Sequence, residues 1–203
     1  MPPQSRVART EFLAGLRAGL QIVVAIAPFG LVTGVAMAAG GLPPLEAMAM
    51  SLLVYAGASM IAAAQLVFDG APALVVVLAA GVVNLRLMMY SASIRPYFAG
   101  ESLARRIAVS YLLVDNAFAL LVGRFGQRPD APGKFAFLLG LSLPVWLSWQ
   151  VTVGAGILVG AGLPASWKLD FAAGASRTSR SVSRRRRDLL APAAARRFRR
   201  LDP

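Results

Sequence analysis

Two charged side chains, Arg86 and Asp115, lie within apolar stretches that hold no other charge. An ionisable group near the middle of a bilayer costs at least about 2.5–3.5 kcal/mol, so such groups face the interior of a helical bundle and usually find a partner. We therefore expect Arg86 and Asp115 to pair. As a functional site, Asp115 would bind a proton or an amine, and Arg86 would supply its counter-charge or bind a carboxylate. As architecture, the two would form a structural ion pair.

A second set of polar side chains follows one face of the apolar run 47–68. At 100° per residue, an arc of about 120° contains Ser51, Tyr55, Ser59, Ala62 and Gln65. A polar face on an apolar helix either packs against other helices or lines a cavity.

Prolines lie inside two of the apolar runs. Pro28 has no N–H and leaves the carbonyl of Val24 without its helical partner. The first helix is therefore either broken there, exposing backbone groups of the kind that bind substrates and ions, or merely kinked. Pro144 precedes Trp149 in the last run, and a break at this proline would place Trp149 on a pocket wall or at the tip of a re-entrant segment.

The residue types that are absent exclude several classes of chemistry. The chain has no cysteine and no histidine, which removes thiol nucleophiles, disulfides, the usual zinc ligand sets and imidazole acid–base catalysis. Asp115 with the nearby Ser110 or Tyr111 forms no recognisable constellation for nucleophilic catalysis. We therefore predict that the protein is not an enzyme and uses no metal or other cofactor.

The elements that must position these residues are membrane helices. Hydrophobic residues make up 57% of the 203 residues and charged residues 15%, and the mean hydropathy is +0.64, a balance foreign to soluble domains. A membrane span needs about 20 apolar residues. Five runs with at most one charge approach or exceed that length: 18–40, 47–68, 71–94, 107–123 and 135–166. The predicted fold class is all-α, a polytopic transmembrane helix bundle of about five spans.

The last of these runs is too long for one straight crossing. Its 32 residues would extend about 48 Å as a single helix, so we expect a kink or a split near Pro144. Small residues spaced four apart are typical of helix packing, and they occur at Gly15 and Gly19, Gly30 and Gly34, and Gly156 and Gly160.

Charge and composition divide the chain into three segments. Residues 1–17 form a short cytoplasmic N-terminal segment, residues 18–171 the transmembrane domain, and residues 172–203 a tail rich in Arg, Ala and Ser that holds most of the +12 net charge. The tail cannot bury a core. It is a solvated disordered segment, a segment bound to anionic lipid, or the product of a shifted reading frame, and we predict no nucleic-acid partner.

The positive-inside rule orients five alternating spans. Six cations then lie on the side of the N-terminus, which we predict to be cytoplasmic: Arg6, Arg9, Arg17, Arg124, Arg128 and Lys134. Three lie on the opposite side: Arg95, Arg105 and Arg106. The first apolar run exceeds the length of a signal-peptide core, so we expect it to be retained as a helix.

Six short stretches carry a resemblance to a known family. They are Pro28-Phe29-Gly30, residues 51–59 (SLLVYAGAS), 70–72 (GAP), 84–93 (NLRLMMYSAS) and 115–118 (DNAF), and Trp149-Gln150. Through them, residues 11–171 resemble the AzlC family of bacterial branched-chain amino acid permeases and exporters. The resemblance implies a multi-pass protein of the bacterial cytoplasmic (inner) membrane that exports neutral amino acids such as valine or methionine, beside a small AzlD-type membrane protein and in a lipid bilayer.

On this resemblance we hypothesise secondary transport of a branched-chain or similar neutral amino acid by alternating access. Pro28 and Gly30 would offer backbone groups to the substrate, and the path would be lined by Ser51, Tyr55, Ser59 and Gln65. Charge would be handled by Asn84, Arg86 and Asp115, and the apolar side chain of the substrate would contact Met88, Phe118 and Trp149. The alternative is a non-transporting membrane subunit or an inactive truncated product.

Two positions depart from the family pattern. Met60 stands where the family often has Gln, and Leu87 where it often has His. Because leucine, unlike histidine, cannot bind or release a proton, Asp115 is the better candidate for proton coupling. The family pattern also continues with apolar sequence beyond residue 171, whereas this chain does not, which is the basis for expecting a truncated product.

Overall fold

The computed structural model describes residues 4–128 and 130–162, which form seven α-helices joined by short turns. The helices are α1 (Gln4–Ala39), α2 (Pro44–Val54), α3 (Gly57–Phe68), α4 (Ala73–Ile94, continued by the 3-10 turn Arg95–Phe98), α5 (Leu103–Leu112), α6 (Asp115–Phe125) and α7 (Lys134–Ala161). No strand occurs among these residues, which confirms the all-α fold class. The end of the predicted transmembrane domain (163–171) and the predicted tail (172–203) lie outside the described residues.

Helices α1 and α7 lie side by side and run parallel. Glycines let the two backbones touch, because a side chain at Gly15 would collide with the Phe137 carbonyl and one at Gly34 with the Val153 carbonyl. Residue numbers rise together along the two helices, which fixes the parallel direction. The glycine spacings therefore serve close packing, as small residues do between membrane helices.

Both helices pass through their prolines without a break. α1 continues past Pro28 and α7 past Pro144, so neither the break weighed for the first run nor a split of the last run occurs. A proline removes one N–H and clashes with one carbonyl. In a membrane helix, neighbouring elements and small local adjustments accommodate that loss.

The second apolar run folds back on itself instead of crossing. α2 begins just beyond the end of α1 and reaches the level of Trp149, halfway along α7, where Gly57 lies against the Trp149 ring. The chain turns at Tyr55, and α3 returns until the Phe68 ring rests against Gly40 at the end of α1. We call α2–α3 the first hairpin.

The fourth run also folds back, but from the other end of the bundle. At the start of α5, the Arg105 guanidinium lies 5.2 Å from the centre of the Phe135 ring on α7. At the end of α6, Arg124 forms an ion pair with Glu11 on α1 at 2.7 Å. Between them the chain bends by 118°. Because both outer ends lie at the same end of the bundle, α5–α6 is re-entrant, and we call it the second hairpin.

Three helices are long and apolar enough to cross a membrane: α1, α4 and α7. α4 leaves the end where the first hairpin closes and arrives where Tyr97 lies 5.9 Å from the Lys134 ammonium. Length and composition allow three spans, or four if the bent pair α5–α6 is counted as one. Because both ends of that pair lie at the same end of the bundle, we describe three spans and two hairpins in the described part of the chain, where the sequence predicted about five spans. A run of apolar residues satisfies the length requirement whether or not it turns halfway.

In this topology, cationic side chains that alternating spans would place on two sides of the membrane lie on one side. The half of the bundle that holds the N-terminus contains Arg6, Arg9, Arg17, Arg95, Arg105, Arg106, Arg124, Arg128 and Lys134. The predicted placement of Arg95, Arg105 and Arg106 on the opposite side is wrong, because the first hairpin does not cross and α4 therefore ends on this side. Among the described residues, the only charged side chains at the opposite end are those of the acidic residues Glu46 and Asp69. The positive-inside rule thus assigns the arginine-rich end to the cytoplasm.

Candidate functional site

A cavity of about 270 Å³ lies where the turns of the two hairpins meet. Five helices and both turns contribute to its wall: Ile26, Phe29, Tyr55, Ala56, Gly57, Ala58, Arg86, Leu87, Val114, Asp115, Asn116 and Trp149. Its size is near the lower bound of about 300 Å³ for small-molecule pockets. The site therefore fits a small solute.

The turn of the first hairpin is held in a strained backbone conformation. Tyr55 has φ 43° and ψ 40°, the left-handed region, and it is the one non-glycine residue with positive φ in the described ranges. Such a conformation costs on the order of 1–3 kcal/mol and is typical of functional sites. The Tyr55 side chain is 95% buried, and its hydroxyl has no hydrogen-bond partner.

The turn of the second hairpin places Asp115 at the first position of α6, after the extended residue Val114. A carboxylate in the first turn of a helix is stabilised by the helix dipole. Asp115 Oδ2 lies 3.3 Å from Arg86 Nη2 on α4, so the pairing predicted from the sequence is present. Asp115 Oδ1 and Arg86 Nε are buried and have no partner.

Four buried side-chain polar atoms lack a partner in the described part of the chain, and all four belong to residues of this cavity. They are Tyr55 Oη, Arg86 Nε, Asp115 Oδ1 and Trp149 Nε1. Buried polar atoms are nearly always hydrogen-bonded in folded proteins. Their concentration here indicates a position prepared for a polar ligand or water.

Backbone donors add to this polarity. α3 starts at Gly57 without a side-chain cap, so the first N–H groups of α3, which line the cavity, have no helical acceptor. Two helix N-termini at one cavity favour a negatively charged group. A side chain at Gly57 would meet the Phe29 ring and come within 2.7 Å of the Trp149 ring, so only glycine lets the backbone lie this close.

The rest of the wall is apolar. Ile26 and Phe29 of α1, Leu87 of α4 and Val114 of the second turn contribute it, and the Phe29 ring lies 5.8 Å from the Trp149 ring. The cavity thus offers charge and hydrogen bonds on one part of its wall and an apolar surface on another.

Side chains from outside each hairpin satisfy the carbonyls at both breaks. Tyr111 donates its hydroxyl hydrogen to the Leu52 carbonyl at 2.7 Å. Ser142 donates to the Leu112 carbonyl at 3.3 Å. Non-helical backbone at membrane depth needs such partners, and they keep both turns in place.

Of the residues predicted for the site, the structure brings four together at the cavity: Tyr55, Arg86, Asp115 and Trp149. The other eight do not line it. Ser51 bonds Gln150 at 2.9 Å, and Ser59 lies 3.0 Å from the Asn84 side-chain oxygen. These two contacts link helices, which matches the packing interpretation of the polar face.

The remaining predicted residues lie elsewhere in the bundle. Gln65 and Met88 are exposed, Phe118 stacks on Tyr90 at 4.4 Å, and Gly30 packs against Thr152. Pro28 lies within the unbroken α1. A role for these residues along a path stays a prediction.

Sequence reasoning did not assign eight lining residues: Ile26, Phe29, Ala56, Gly57, Ala58, Leu87, Val114 and Asn116. Most are apolar or small and carry no chemical signal. Of the two departures from the family pattern, Leu87 lines the cavity, whereas Met60 is fully buried in the core.

Comparison with known proteins adds two findings. The family model described as AzlC protein matches residues 21–163. Inner membrane protein YgaZ of Escherichia coli (strain K12) is 24% identical over 162 residues, which cover 79% of this chain and 66% of that relative. The match therefore spans slightly less than two thirds of the relative's length. No solved structure matches the chain significantly.

Proposed function

The chain belongs to the AzlC family, and from this premise we propose that it is a secondary transporter that exports a branched-chain or similar neutral amino acid. The family and the similarity to an inner-membrane protein support a transport-related function at the inner membrane. The choice of substrate, the outward direction and the mechanism of alternating access are the proposal.

One observation carries the proposal. The cavity between the two hairpin turns combines four unpartnered buried polar atoms with an apolar wall. A free neutral amino acid has the matching chemistry, because its two charged groups are attached to the same carbon atom as an uncharged side chain. A solute without charges would leave Asp115 and Arg86 as they are, incompletely bonded.

The groups of the cavity suggest one orientation for such a substrate. The carboxylate would lie at the N-terminus of α3, where uncapped N–H groups and Arg86 favour an anion. The ammonium would lie at Asp115 Oδ1, and the side chain would face Phe29 and Leu87. Tyr55 and Trp149 would donate their free O–H and N–H groups to the carboxylate.

The charges also support a form of coupling. Asp115 pairs with Arg86 through one oxygen only, so an incoming ammonium or proton can reach the other oxygen. Exchange between these two occupants of Asp115 would link substrate movement to proton movement. Export also involves, in this proposal, a small AzlD-type membrane protein as partner.

An efflux assay tests the proposal. Cells that express the chain, with and without a co-expressed AzlD-type protein, are loaded with a valine- or methionine-containing dipeptide, and the amino acid released to the medium is followed over time. We expect faster release than from cells with an empty vector. Release equal to that control in both arms, with the chain present in the membrane fraction, would favour a non-transporting subunit instead.

A further inference from the structure

The part of the chain after α1 repeats one order of helices. α2, α3 and α4 are two short helices followed by a long one, and α5, α6 and α7 repeat this order. The first hairpin enters from the end of the bundle that holds Asp69, and the second enters from the end that holds Lys134. α4 and α7 therefore cross in opposite directions. The same order with opposite direction is the arrangement of inverted-topology repeats, which many transporters contain.

The two turns also share a short stretch of sequence. Leu-Leu-Val occurs at 52–54, directly before Tyr55, and at 112–114, directly before Asp115, and a third copy lies within α6 at 120–122. Tyr55 and Asp115 follow the tripeptide at the two turns, Tyr55 within its turn and Asp115 as the first residue of α6. Each carries a buried polar atom without a partner at the same cavity, the Tyr55 hydroxyl and Asp115 Oδ1.

Carbonyls at the end of the first helix of each hairpin are satisfied in a similar manner. The carbonyl of Leu52 lies in the last turn of α2 and that of Leu112 at the last residue of α5, and each accepts a hydrogen bond from a hydroxyl outside its own hairpin. The donors are Tyr111 and Ser142.

Each turn rests against the long helix of the other repeat. Asp115 of the second hairpin pairs with Arg86 on α4, and Gly57 of the first hairpin lies against Trp149 on α7. The cavity is therefore bounded by both repeats. Each hairpin is attached to the chain at one end of the bundle only, whereas α1 and α7 are fixed together by their glycine contacts.

We propose that α2–α4 and α5–α7 are inverted repeats and that their hairpins are the two gates of the cavity. The first hairpin controls access from the end that holds Asp69, and the second controls access from the arginine-rich end. This inference rests on the proposed function for what passes through the cavity. The exchange of access itself can be measured without any substrate.

The absence of cysteine from the chain makes a direct test simple. Asn116→Cys places a single thiol on the cavity wall, and a membrane-impermeant thiol reagent is applied to right-side-out and to inside-out vesicles. Labelling rates are divided by the total labelling obtained after detergent solubilisation, so that a loss of folded protein does not imitate a loss of access.

Two further substitutions loosen one gate each. Glu11→Gln removes the ion pair that ties the end of the second hairpin to α1. Ser51→Ala removes the hydrogen bond that ties the first hairpin to Gln150 on α7. The matched control is Glu101→Gln, which breaks an ion pair between the residue two before α5 and Arg105 on α5 but removes no contact with α1.

The expected shifts have opposite signs. Glu11→Gln should raise labelling of Asn116→Cys from the arginine-rich side about two- to fivefold and lower it from the other side, because weakening a pair of this kind shifts a two-state equilibrium by that order. Ser51→Ala should do the reverse, and Glu101→Gln should change neither. Shifts of the same sign in both variants, or no shift in either, would overturn the proposal.

The result also separates this inference from the proposed function. Opposite shifts in a chain that exports no amino acid would keep the two gates and remove the substrate assignment. Amino acid export without opposite shifts would keep the transporter and remove the inverted gating.

Discussion

Arg86 and Asp115 are joined by a single contact, 3.3 Å between Nη2 and Oδ2. An arginine and a carboxylate whose task is only to hold two helices together commonly form two parallel hydrogen bonds. Here Arg86 Nε and Asp115 Oδ1 remain without partners, and the two side chains are 41% and 46% exposed. The pair therefore retains one hydrogen-bond donor and one acceptor that a ligand in the cavity could use.

The first prediction concerns the charge of Asp115. Asp115→Asn should raise the half-saturating amino acid concentration for export about 10- to 100-fold, because a hydrogen bond to a charged group contributes about 1.5–3 kcal/mol. It should also flatten the dependence of export on pH. Asp69→Asn, at the opposite end of the bundle from the arginines, is the matched control and should export like the parent chain.

Combining Asp115→Asn with Arg86→Gln separates function from architecture. Removing one partner leaves an uncompensated charge and destabilises the bundle, whereas removing both does not. We expect the double variant to regain the membrane level and Tm of the parent chain without regaining export. Recovery of export in the double variant would show that the pair is architectural only.

The second prediction compares two tyrosines that differ in hydrogen bonding. The Tyr55 hydroxyl has no partner, so Tyr55→Phe should leave the Tm unchanged or raise it while weakening amino acid binding about two- to tenfold. The Tyr111 hydroxyl donates to the Leu52 carbonyl and accepts from Trp146 Nε1 at 3.0 Å. Tyr111→Phe leaves both groups unpaired and should lower stability by about 1–3 kcal/mol.

Thermal unfolding of the purified proteins in detergent, with and without valine, measures both effects. A lower Tm for Tyr55→Phe in the absence of valine would mean that its hydroxyl has a partner in the native protein. An unchanged response to valine would remove Tyr55 from the binding site.

The sequence predicts the parts of this fold that depend on one stretch of chain alone, such as the insertion of an apolar helix into the membrane. An apolar run indicates transfer into the membrane, and the described residues of all five predicted runs are mainly helical, with breaks at 55–56 and 113–114. The same runs do not report whether a helix turns back. The first hairpin turns at a tyrosine, Tyr55, and not at a proline or glycine. Pro28 and Pro144, which conventionally signal a helix break, lie in continuous helices.

The candidate site shows the same division. Charge in an apolar run was enough to predict that Arg86 and Asp115 pair. The polar face around Ser51 assumed one continuous helix, and the break at Tyr55 ends the 100° periodicity on which it depended. Ser51 and Ser59 consequently bond to different helices. Apolar lining residues such as Ile26 and Leu87 become identifiable only when the turns are placed in space.

The third prediction uses two glycines in long helices. A methyl group at Gly34 would collide with the Val153 carbonyl on α7, whereas nothing lies within 4 Å of the same group at Gly81 on α4. Gly34→Ala should destabilise the protein by about 1–3 kcal/mol through overpacking, and Gly81→Ala should be neutral or stabilising. The Tm values of the two variants measure the difference, and equal values would contradict the close packing of α1 on α7.

The fourth prediction decides between three spans with two hairpins and five alternating spans. The described fold places residue 69 at the end without cations and residue 100 at the arginine-rich end, which the positive-inside rule assigns to the cytoplasm. Five alternating spans with a cytoplasmic N-terminus place both residues on the reverse sides. The two topologies therefore predict opposite exposure for the same pair of positions.

Single cysteines at these positions give a direct answer, because the chain has no other thiol. In intact cells, a membrane-impermeant reagent should label Asp69→Cys and leave Gly100→Cys unlabelled until the membrane is permeabilised. Both residues are exposed, so burial does not explain a lack of labelling. Labelling of Gly100→Cys alone would restore the alternating spans and, by separating the arginines again, would also remove the opposite entry of the two hairpins on which the inverted repeat depends.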